Sequence, residues 1–220
     1  MIPHYKNKPL AVLVDFDGTI TVRDVGDEVI EKFAEPGWNE ALDRYRAGKL
    51  NVRELWAYDI GLLRKDREKA AVEHSVNFAQ IRDGFSELVQ YCKSRDIPIK
   101  VVSSGMHFYV DAILAAHGFG DLPRARPFVE YDGEGHGVMT MPEGLQDCGM
   151  TALCKCERVW SWRRKGYRVM FVGDGVSDQC AVGQADVVLA TGRLRGVCES
   201  KGIEHTPFES FGEVLAAITD

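Results

Sequence analysis

The chain has 220 residues, of which 45% are hydrophobic and 27% charged, and its formal net charge is −6. This composition is typical of a folded protein of one or two domains, and the acidic balance argues against nucleic acid as a partner. Residues 1–6 lack the apolar stretch of a secretory signal peptide, and no apolar run is long enough to span a membrane. We therefore expect a cytoplasmic protein with no membrane partner, and its oligomeric state stays open.

The first predicted element is a strand at residues 10–14, a short apolar run without alternation that indicates burial on both faces, as in a parallel sheet. Asp15-Phe16-Asp17-Gly18-Thr19 follows it, so two carboxylates stand at the strand's carboxyl end, where open α/β sheets bind ligands. Neighbouring carboxylates repel each other unless a cation or a shared proton intervenes, and Mg²⁺ would also hold a phosphate oxygen. Asp15 could then attack phosphorus, while Asp17 protonates the leaving oxygen and later deprotonates water. An ordinary Asp-Gly turn is the alternative.

The apolar pattern then changes from strand to helix. Spacings of three and four residues predict four helices, at about residues 25–33, 39–47, 55–63 and 69–74. We interpret residues 22–83 as a small helical cap inserted after the first strand, with linkers at 20–24 and 80–84. Most of its aromatic side chains are expected in its own core, but Trp56 and Tyr58 could face a substrate.

From residue 84 onward, strands and helices alternate. The predicted elements are a helix at 85–93, a strand at 97–102, a helix at 108–117, a hairpin with strands at 128–131 and 138–140, a helix at 151–164, strands at 168–172 and 186–190, and a helix at 209–218. This order predicts an α/β fold with a doubly wound, Rossmann-like parallel sheet. Residues 1–21 and 84–220 would form that core.

A second chemical signal follows the strand predicted at 97–102. Ser103-Ser104-Gly105 offers a hydroxyl and backbone N–H groups at the start of the next helix, a combination that binds phosphate. The same residues also suit an ordinary helix N-cap and turn. We take Ser103 as a candidate catalytic residue, and Ser104 and Gly105 as candidates for substrate binding.

Lys155 is the candidate cation for a phosphate that gains negative charge during transfer. It lies between Cys154 and Cys156, ahead of an apolar helix face, which favours burial near the site. Lys165 is a rival, but the pattern places it at the far end of the same helix. Cys148 is close to the other two cysteines, so zinc is an alternative here, although the spacing matches no paired Cys-x-x-Cys pattern.

A further acidic pair, Asp174 and Asp178, follows the strand predicted at 168–172. Carboxylates at the end of a parallel strand suit a hard cation, and Gly173 and Gly175 let the loop close around it. A glycine-rich turn that begins a helix is the alternative. Because parallel strands end at the same edge of a sheet, we expect this pair to face the crevice of the first pair.

Together, the four stretches resemble the haloacid dehalogenase superfamily of aspartate-nucleophile phosphatases. The matching residues, in the family's order, are Asp15-Phe16-Asp17-Gly18-Thr19, Ser103, Lys155 and Gly173-Asp174 with Asp178. The resemblance covers nearly the whole chain, including the position of the helical cap. That cap is similar to the one in the branch that holds phosphoserine phosphatase and a methionine-salvage phosphatase, and residues 81–85 and 101–106 look closer to the latter.

The resemblance implies Mg²⁺ as the cofactor and gives the acidic residues their roles. Asp15 is the nucleophile and a metal ligand. Asp17 is the general acid/base, and it offers its backbone carbonyl to the metal. Asp174 ligates the metal, and Asp178 belongs to the same metal site and orients it or Lys155.

The resemblance also implies a small phosphorylated metabolite as the substrate. Ser103 and Lys155 would hold its phosphoryl oxygens, and Thr19 is a further candidate for substrate binding. An aspartate at position 17 argues against dehalogenation, because phosphatases need that acid. A phosphotransferase that uses an alcohol acceptor and a catalytically inactive binding domain of the same fold are the alternatives.

The chain departs from the phosphoserine phosphatase pattern within the cap. The acidic place after the first motif falls on Asp24, a candidate substrate-binding residue. The place of the cap arginine falls near Asp59, and an acid there would repel a substrate carboxylate. Arg46 or Arg53 could compensate, and Arg46 is therefore a candidate for substrate binding, but the departure counts against phosphoserine as the substrate.

Overall fold

The structure is a computed structural model that describes residues 8–141 and 151–219. The strands within these residues are β1 (Leu10–Val14), β2 (Ile99–Val102), β3 (Arg124–Ala125), β4 (Phe128–Tyr131), β5 (Gly137–Thr140), β6 (Arg168–Gly173), β7 (Val187–Ala190) and β8 (Thr206–Pro207). Six of them form one parallel sheet with the order β3-β2-β1-β6-β7-β8. The other two, β4 and β5, form a separate antiparallel hairpin.

Helices cover both faces of this sheet. Those in the described ranges are α1 (Val25–Phe33), α2 (Trp38–Arg46), α3 (Val52–Gly61), α4 (Glu68–Phe78), α5 (Phe85–Ser94), α6 (His107–Ala116), α7 (Lys155–Arg164), α8 (Gln179–Val182), α9 (Gly192–Lys201) and α10 (Phe211–Thr219). Helices α5, α6 and α10 pack into the hydrophobic core on one face. Helices α7, α8 and α9 pack into the core on the other.

Strand β1 lies at the centre of the sheet and is buried on both faces. Val12 and Val14 point into the core beneath α5 and α6, whereas Leu13 points into the core beneath α7. Alternate side chains of a strand point to opposite faces, so an unbroken apolar run satisfies two cores at once. The prediction of a doubly wound parallel sheet is therefore confirmed.

Several element boundaries differ from the prediction. The helix predicted at 151–164 begins only at Lys155, because Cys154 is extended and the Thr151 hydroxyl donates to the Leu153 carbonyl at 2.6 Å in a turn before the helix. Helix α4 continues to Phe78, beyond the predicted 69–74. Helix α9 and the two-residue strands β3 and β8 were not predicted, since strands this short carry no periodic signal.

The segment between β1 and α5 holds α1 to α4, as the helical spacing predicts. Its two ends run side by side, because Thr21 and Ile81 form an antiparallel bridge. Its far side contacts the hairpin, where the Gly137 N–H donates to the Leu63 carbonyl at 3.0 Å. The division into a core and a cap at residues 22–83 stays a prediction. In the described parts of the chain, each helix is too short or too polar to cross a bilayer.

Candidate active site

The carboxyl ends of β1 and β6 meet where the sheet changes direction. The chain extends from β1 through β2 to β3 on one side, and then returns to the other side of β1 with β6. Such a switch point leaves a crevice that binds ligands in open α/β sheets. Asp15 directly follows β1, Asp174 directly follows β6, and the Asp15 N–H donates to the Val172 carbonyl at 2.9 Å. Both acidic turns therefore open into the same crevice.

Lys155 is fully buried at the base of this crevice. Its Nζ lies 2.6 Å from Oδ1 of Asp15 and 2.6 Å from Oδ1 of Asp178. Burial alone would lower the pKa of Lys155, but the charges of these two carboxylates raise it above its usual value. The two carboxylates therefore favour the positively charged form of the lysine beside Asp15. The rival, Lys165, ends helix α7, where its ammonium lies over the ring of Trp162.

Three carboxylates form a cluster around this point. Ligand oxygens of Asp15, Asp174 and Asp178 all lie within 4.8 Å of one another. Burial raises the pKa of Asp174 to about 7, and it raises that of Asp15 well above its usual range; in both cases the charge of Asp178 adds to the shift. Clustered carboxylate oxygens that repel one another are the ligands a hard cation such as Mg²⁺ requires, so the residues present fit this metal.

Asp178 also holds the β6 loop in shape. Its Oδ2 accepts the N–H groups of Asp174 and Gly175, at 3.1 and 3.0 Å, and its Oδ1 accepts the Lys155 ammonium. Both of its oxygens are therefore engaged by the chain itself. This geometry favours the orienting role among those that the resemblance implied for Asp178.

The side chain of Asp17 points away from the carboxylate cluster. Its Oδ1 accepts the N–H groups of Val25 and Gly26, at 3.1 and 3.3 Å, and its Oδ2 accepts the hydroxyl of Tyr109 at 2.8 Å. Burial raises the pKa of Asp17 to about 6, although these hydrogen bonds oppose the rise. Asp15 and Asp17 thus occupy different environments, one beside a cation and the other at a helix N-terminus. Metal binding through the Asp17 backbone carbonyl stays a prediction.

The turn that carries both acids is tightly packed. Gly18 has a φ of +71°, and a Cβ there would lie 2.3 Å from Oδ2 of Asp174, so both the backbone and the space require glycine. Thr19 is fully buried, and its hydroxyl donates to Oδ1 of Asp174 at 3.0 Å. The structure therefore places Thr19 against a candidate metal ligand, whereas the sequence had suggested a contact with substrate. Arg82 braces the turn by donating to the Gly18 and Thr19 carbonyls, at 2.6 and 2.8 Å.

The two serines after β2 have different surroundings. Oγ of Ser103 accepts the Gly105 N–H at 2.8 Å, so this side chain stabilises its own turn and retains a hydroxyl proton to donate. Oγ of Ser104 is buried and, within the described part of the chain, has no hydrogen-bond partner. Ser104 and Gly105 line the central cavity.

This cavity has a volume of about 480 Å³ and lies between the sheet edge and the helical segment. Asp24 and Trp56 line it, as the sequence suggested. Arg46 is exposed and pairs with Asp43 at 3.6 Å, and it is not among the residues that line the cavity. Tyr58 is likewise absent from the lining.

Several neighbours of the site were not predicted from the sequence, among them Tyr109, Arg82 and Arg193. Tyr109 contacts Asp17, and Arg82 braces the acidic turn. Arg193 lines the cavity near Asp27. Burial raises the pKa of Asp27, and the positive charge of Arg193 opposes this rise. Arg82 lies within a stretch that carried the family resemblance, which was the one available signal for it. Tyr109 and Arg193 lie within helices, and no sequence motif marks either position as part of a site.

The cysteines predicted as alternative zinc ligands are only partly described. Cys148 lies outside the described residues. Sγ of Cys154 is 3.2 Å from Sγ of Cys156. In the described residues, 8–141 and 151–219, the carboxylates that lie close enough together to hold a metal ion are those of Asp15, Asp174 and Asp178. Zinc at the cysteines stays a prediction.

Comparison with known proteins places this geometry in context. The family model of the haloacid dehalogenase-like hydrolases matches residues 12–182 of this chain. A 2-hydroxy-3-keto-5-methylthiopentenyl-1-phosphate phosphatase of Exiguobacterium sp. is 33% identical over 210 residues, which cover 93% of this chain and 95% of that protein. One of the same name from Brevibacillus brevis is 28% identical over 214 residues, which cover 95% of each chain.

Solved structures share the fold at lower identity. A phospho-aspartyl intermediate analogue of phosphoserine phosphatase superposes with a TM-score of 0.69 at 19% identity, covering 96% of this chain and 99% of that one. A phosphoserine phosphatase from T. onnurineus superposes with a TM-score of 0.70 at 17% identity, covering 97% and 95%. At these identities, the likeness concerns the fold.

Proposed function

Because the chain belongs to the haloacid dehalogenase-like hydrolases, we propose that it is a Mg²⁺-dependent phosphatase that hydrolyses a small phosphorylated metabolite through an aspartyl-phosphate. One observation carries the proposal. The buried Lys155 ammonium touches Asp15 at 2.6 Å, while the carboxylate of Asp17, two residues away, is held by the start of α1 and by the Tyr109 hydroxyl. Two chemically identical acids are thus prepared for different tasks, one as a nucleophile and one as an acid.

In the first step, a carboxylate oxygen of Asp15 attacks phosphorus. The described contacts of this side chain, from the Phe16 N–H at 2.7 Å and from Lys155, both end on Oδ1, which leaves Oδ2 to form the new bond. As the bond from phosphorus to the leaving oxygen breaks, the Asp17 carboxyl gives that oxygen its proton. The Lys155 ammonium stabilises the charge that builds on the phosphoryl oxygens.

In the second step, Asp17 acts as a base. Its carboxylate takes a proton from water, and the water oxygen bonds to phosphorus. The bond from phosphorus to Oδ2 of Asp15 breaks, so inorganic phosphate leaves and both acids return to their starting states.

Asp15 and Asp174 would hold Mg²⁺ through their carboxylates, with Asp178 orienting the loop, and the cluster geometry supports this assignment. When bound, Mg²⁺ supplies positive charge that offsets the repulsion between the carboxylates and the phosphate. Ser104 lines the cavity and its hydroxyl is buried without a partner in the described chain, so we propose that this hydroxyl binds a substrate oxygen. We propose that residues 22–83 cover the bound substrate and exclude water before the first step.

The cavity wall supports a substrate whose tail is uncharged and partly apolar. The helical segment contributes six apolar or aromatic side chains to the lining: Val22, Leu42, Tyr45, Val52, Leu55 and Trp56. Its charged contributions are the acids Asp24 and Asp27 and, close to its end, Arg82. Among the lining residues, the arginines are Arg82, which already donates to three backbone carbonyls, and Arg193, which lies near Asp27. A carboxylate such as that of phosphoserine would meet repulsion there, whereas a methylthio group of the kind named for the relatives' substrate would not.

The general test is release of inorganic phosphate. We expect the protein to hydrolyse p-nitrophenyl phosphate and a methylthio-bearing alkyl phosphate, and to hydrolyse O-phosphoserine more slowly. Retention of the phosphoryl group by an added alcohol in place of water would indicate a phosphotransferase. Failure to hydrolyse any phosphomonoester in the presence of Mg²⁺ would contradict the proposal.

Cytoplasmic location stays a prediction of the sequence.

Removing the metal, or one of its ligands, should remove activity. We expect excess EDTA to abolish phosphate release and added Mg²⁺ to restore it. Asp174→Ala should weaken Mg²⁺ binding by at least the roughly 10- to 100-fold that loss of an outer-shell partner costs. Calorimetric titration with Mg²⁺ measures the affinity directly. Asp121→Ala is the control, since Asp121 is an exposed acid that pairs with Lys93 far from the crevice. Full activity in EDTA would rule out the metal site.

Removing the indole of Trp56 should affect the substrate tail and leave the chemistry intact. Trp56 lines the cavity, and the absence of a side chain at Gly26 makes room for its ring. We expect Trp56→Ala to raise KM for the methylthio-bearing substrate by about 10-fold or more, the order expected for a lost apolar contact, with Mg²⁺ affinity unchanged. Trp160→Ala is the matched control, because Trp160 is 43% exposed and does not line the cavity. An unchanged KM in Trp56→Ala would contradict this placement of the tail.

A further inference from the structure

We propose that Tyr109 is a positioning residue for the general acid, and that it selects Oδ2 of Asp17 as the oxygen that carries the transferred proton. The inference rests on the proposed function, because it assigns a task within that reaction. It concerns a residue on α6, far in sequence from the acidic turn. The Tyr109 hydroxyl donates to Oδ2 of Asp17 at 2.8 Å.

Counting hydrogen bonds distinguishes the two oxygens of Asp17. A carboxylate oxygen has two lone pairs in the plane of the group. Oδ1 already accepts two donors, the N–H groups of Val25 and Gly26. Oδ2 accepts one donor, Tyr109, and so retains one lone pair on which a proton can reside. The backbone therefore occupies Oδ1, and the tyrosine occupies one lone pair of Oδ2, which determines the lone pair that remains for the proton.

The surrounding side chains hold the tyrosine ring in place, and they thereby fix the position of its hydroxyl oxygen. Tyr109 is fully buried. Its ring packs against Phe16 and Phe108, with centroid separations of 6.3 and 5.7 Å. Phe16 lies between the two acids in sequence, so the same contact ties the tyrosine to the acidic turn. A hydroxyl on a ring fixed in this way is a rigid reference point for the carboxylate.

Two glycines leave the space that this contact needs. A Cβ on Gly105 would lie 2.1 Å from the Tyr109 hydroxyl oxygen and 2.5 Å from Oδ2 of Asp17. A Cβ on Gly26 would lie 2.8 Å from the same hydroxyl oxygen. Real Cβ atoms do not approach so closely, so a side chain at either position would displace the hydroxyl or the carboxylate. Gly105 also lines the cavity, and it therefore leaves Oδ2 open on the side from which the substrate arrives.

The consequence for the reaction is specific to proton transfer. In the first step, the proton on Oδ2 moves to the leaving oxygen as its bond to phosphorus breaks; in the second, Oδ2 accepts a proton from the attacking water. Attack by Oδ2 of Asp15 on phosphorus uses neither the tyrosine nor Oδ2 of Asp17. Loss of the Tyr109 hydroxyl should therefore slow steps that need a proton and spare those that do not.

The test compares leaving groups in the variant Tyr109→Phe. p-Nitrophenolate leaves without a proton, so the initial burst of p-nitrophenol should stay within about threefold of the unmodified protein. Phosphoenzyme formation from an alkyl phosphate should slow by about 10- to 100-fold, the range for a lost hydrogen bond to a charged group. With p-nitrophenyl phosphate, rapid quench and intact mass should also show that the phosphoenzyme persists, because its hydrolysis needs the base.

The control is Tyr131→Phe, which removes a tyrosine hydroxyl bonded to Glu68 at the hairpin, away from the crevice. This variant should form the phosphoenzyme at the unmodified protein's rate with both leaving groups. If Tyr109→Phe does not fold, Gly105→Ala disturbs the same contact from the other side, and it should show the same dependence on the leaving group.

Two outcomes would overturn the inference. One is a variant that matches the unmodified protein with both leaving groups, and the other is equal slowing with both. Failure of the proposed function looks different, because the unmodified protein would then form no phosphoenzyme at all.

Discussion

Asp15→Asn is expected to abolish turnover and to form no phosphoenzyme. The substitution removes the carboxylate oxygen that we propose as the attacking atom, and it removes one of the three clustered carboxylates proposed to surround Mg²⁺. Loss of a catalytic nucleophile typically costs roughly 10⁴-fold or more in kcat. An amide oxygen can still accept the Phe16 N–H that Oδ1 accepts at 2.7 Å, so the turn should keep its shape.

Rapid quench followed by intact mass measures this result, since the phosphoenzyme carries one added phosphoryl group. The unmodified protein, mixed with p-nitrophenyl phosphate and Mg²⁺, should show that mass, and Asp15→Asn should not. Thermal melting provides the control for folding. The charge of Asp178 repels that of Asp15, which contributes to the raised pKa of Asp15. The substitution relieves this repulsion, and the gain in stability offsets part of the loss of the ion pair with Lys155. A phosphorylated Asp15→Asn protein would show that another residue is the nucleophile.

Asp17→Asn is expected to separate good leaving groups from poor ones. Its amide oxygen can accept the Val25 and Gly26 N–H groups, and its NH₂ can donate to the Tyr109 oxygen, so the geometry is retained while the proton is lost. General acid/base help is worth about 10²–10⁴-fold. Phosphoenzyme formation from an alkyl phosphate should fall by that amount, and formation from p-nitrophenyl phosphate should fall far less. The phosphoenzyme should also persist. Equal loss with both leaving groups would contradict the acid/base role.

The pH dependence gives the same assignment an independent check. Burial raises the pKa of Asp17 to about 6, so its protonated form dominates below that pH. With an alkyl phosphate, the rate of phosphoenzyme formation should therefore decline as the pH rises through this value, because the acid form is lost. The decline should be absent in Asp17→Asn, which has no titrating group at this position. A decline that persists in Asp17→Asn would belong to another residue.

The acids and the serine that we propose to act in the reaction could be selected from the sequence because each follows a recognisable strand. The apolar run at 10–14 has one plausible role, a strand buried on both faces, and such a strand delivers Asp15 and Asp17 to a known edge of the sheet. The same reasoning applies to Ser103 after β2 and to Asp174 after β6. Lys155 was selected by its apolar flanks, and its complete burial agrees with that expectation.

The orientation of individual side chains could not be predicted in this way. Ser103 and Ser104 are identical in type and adjacent, yet one hydroxyl bonds to its own turn and the other is buried without a partner within the described chain. Thr19 turns to Asp174 and away from the cavity. Arg46 points outward to Asp43, although a helical pattern alone allowed it to face the substrate. Each choice depends on which polar groups of distant segments come within hydrogen-bond distance.

The sequence by itself determined the fold class, the helical insertion and the positions of the acids proposed to carry the chemistry, because hydrophobic periodicity and strand ends are local properties of the chain. Only the tertiary structure decided how those acids differ. Asp15 and Asp17 are separated by one residue, but Lys155 from α7 pairs with the first, while the start of α1 and Tyr109 from α6 hold the second. The free energy of a charge depends on the donors, charges and solvent around it, and the fold brings these from distant segments of the chain, as the contact between Lys155 and Asp15 shows.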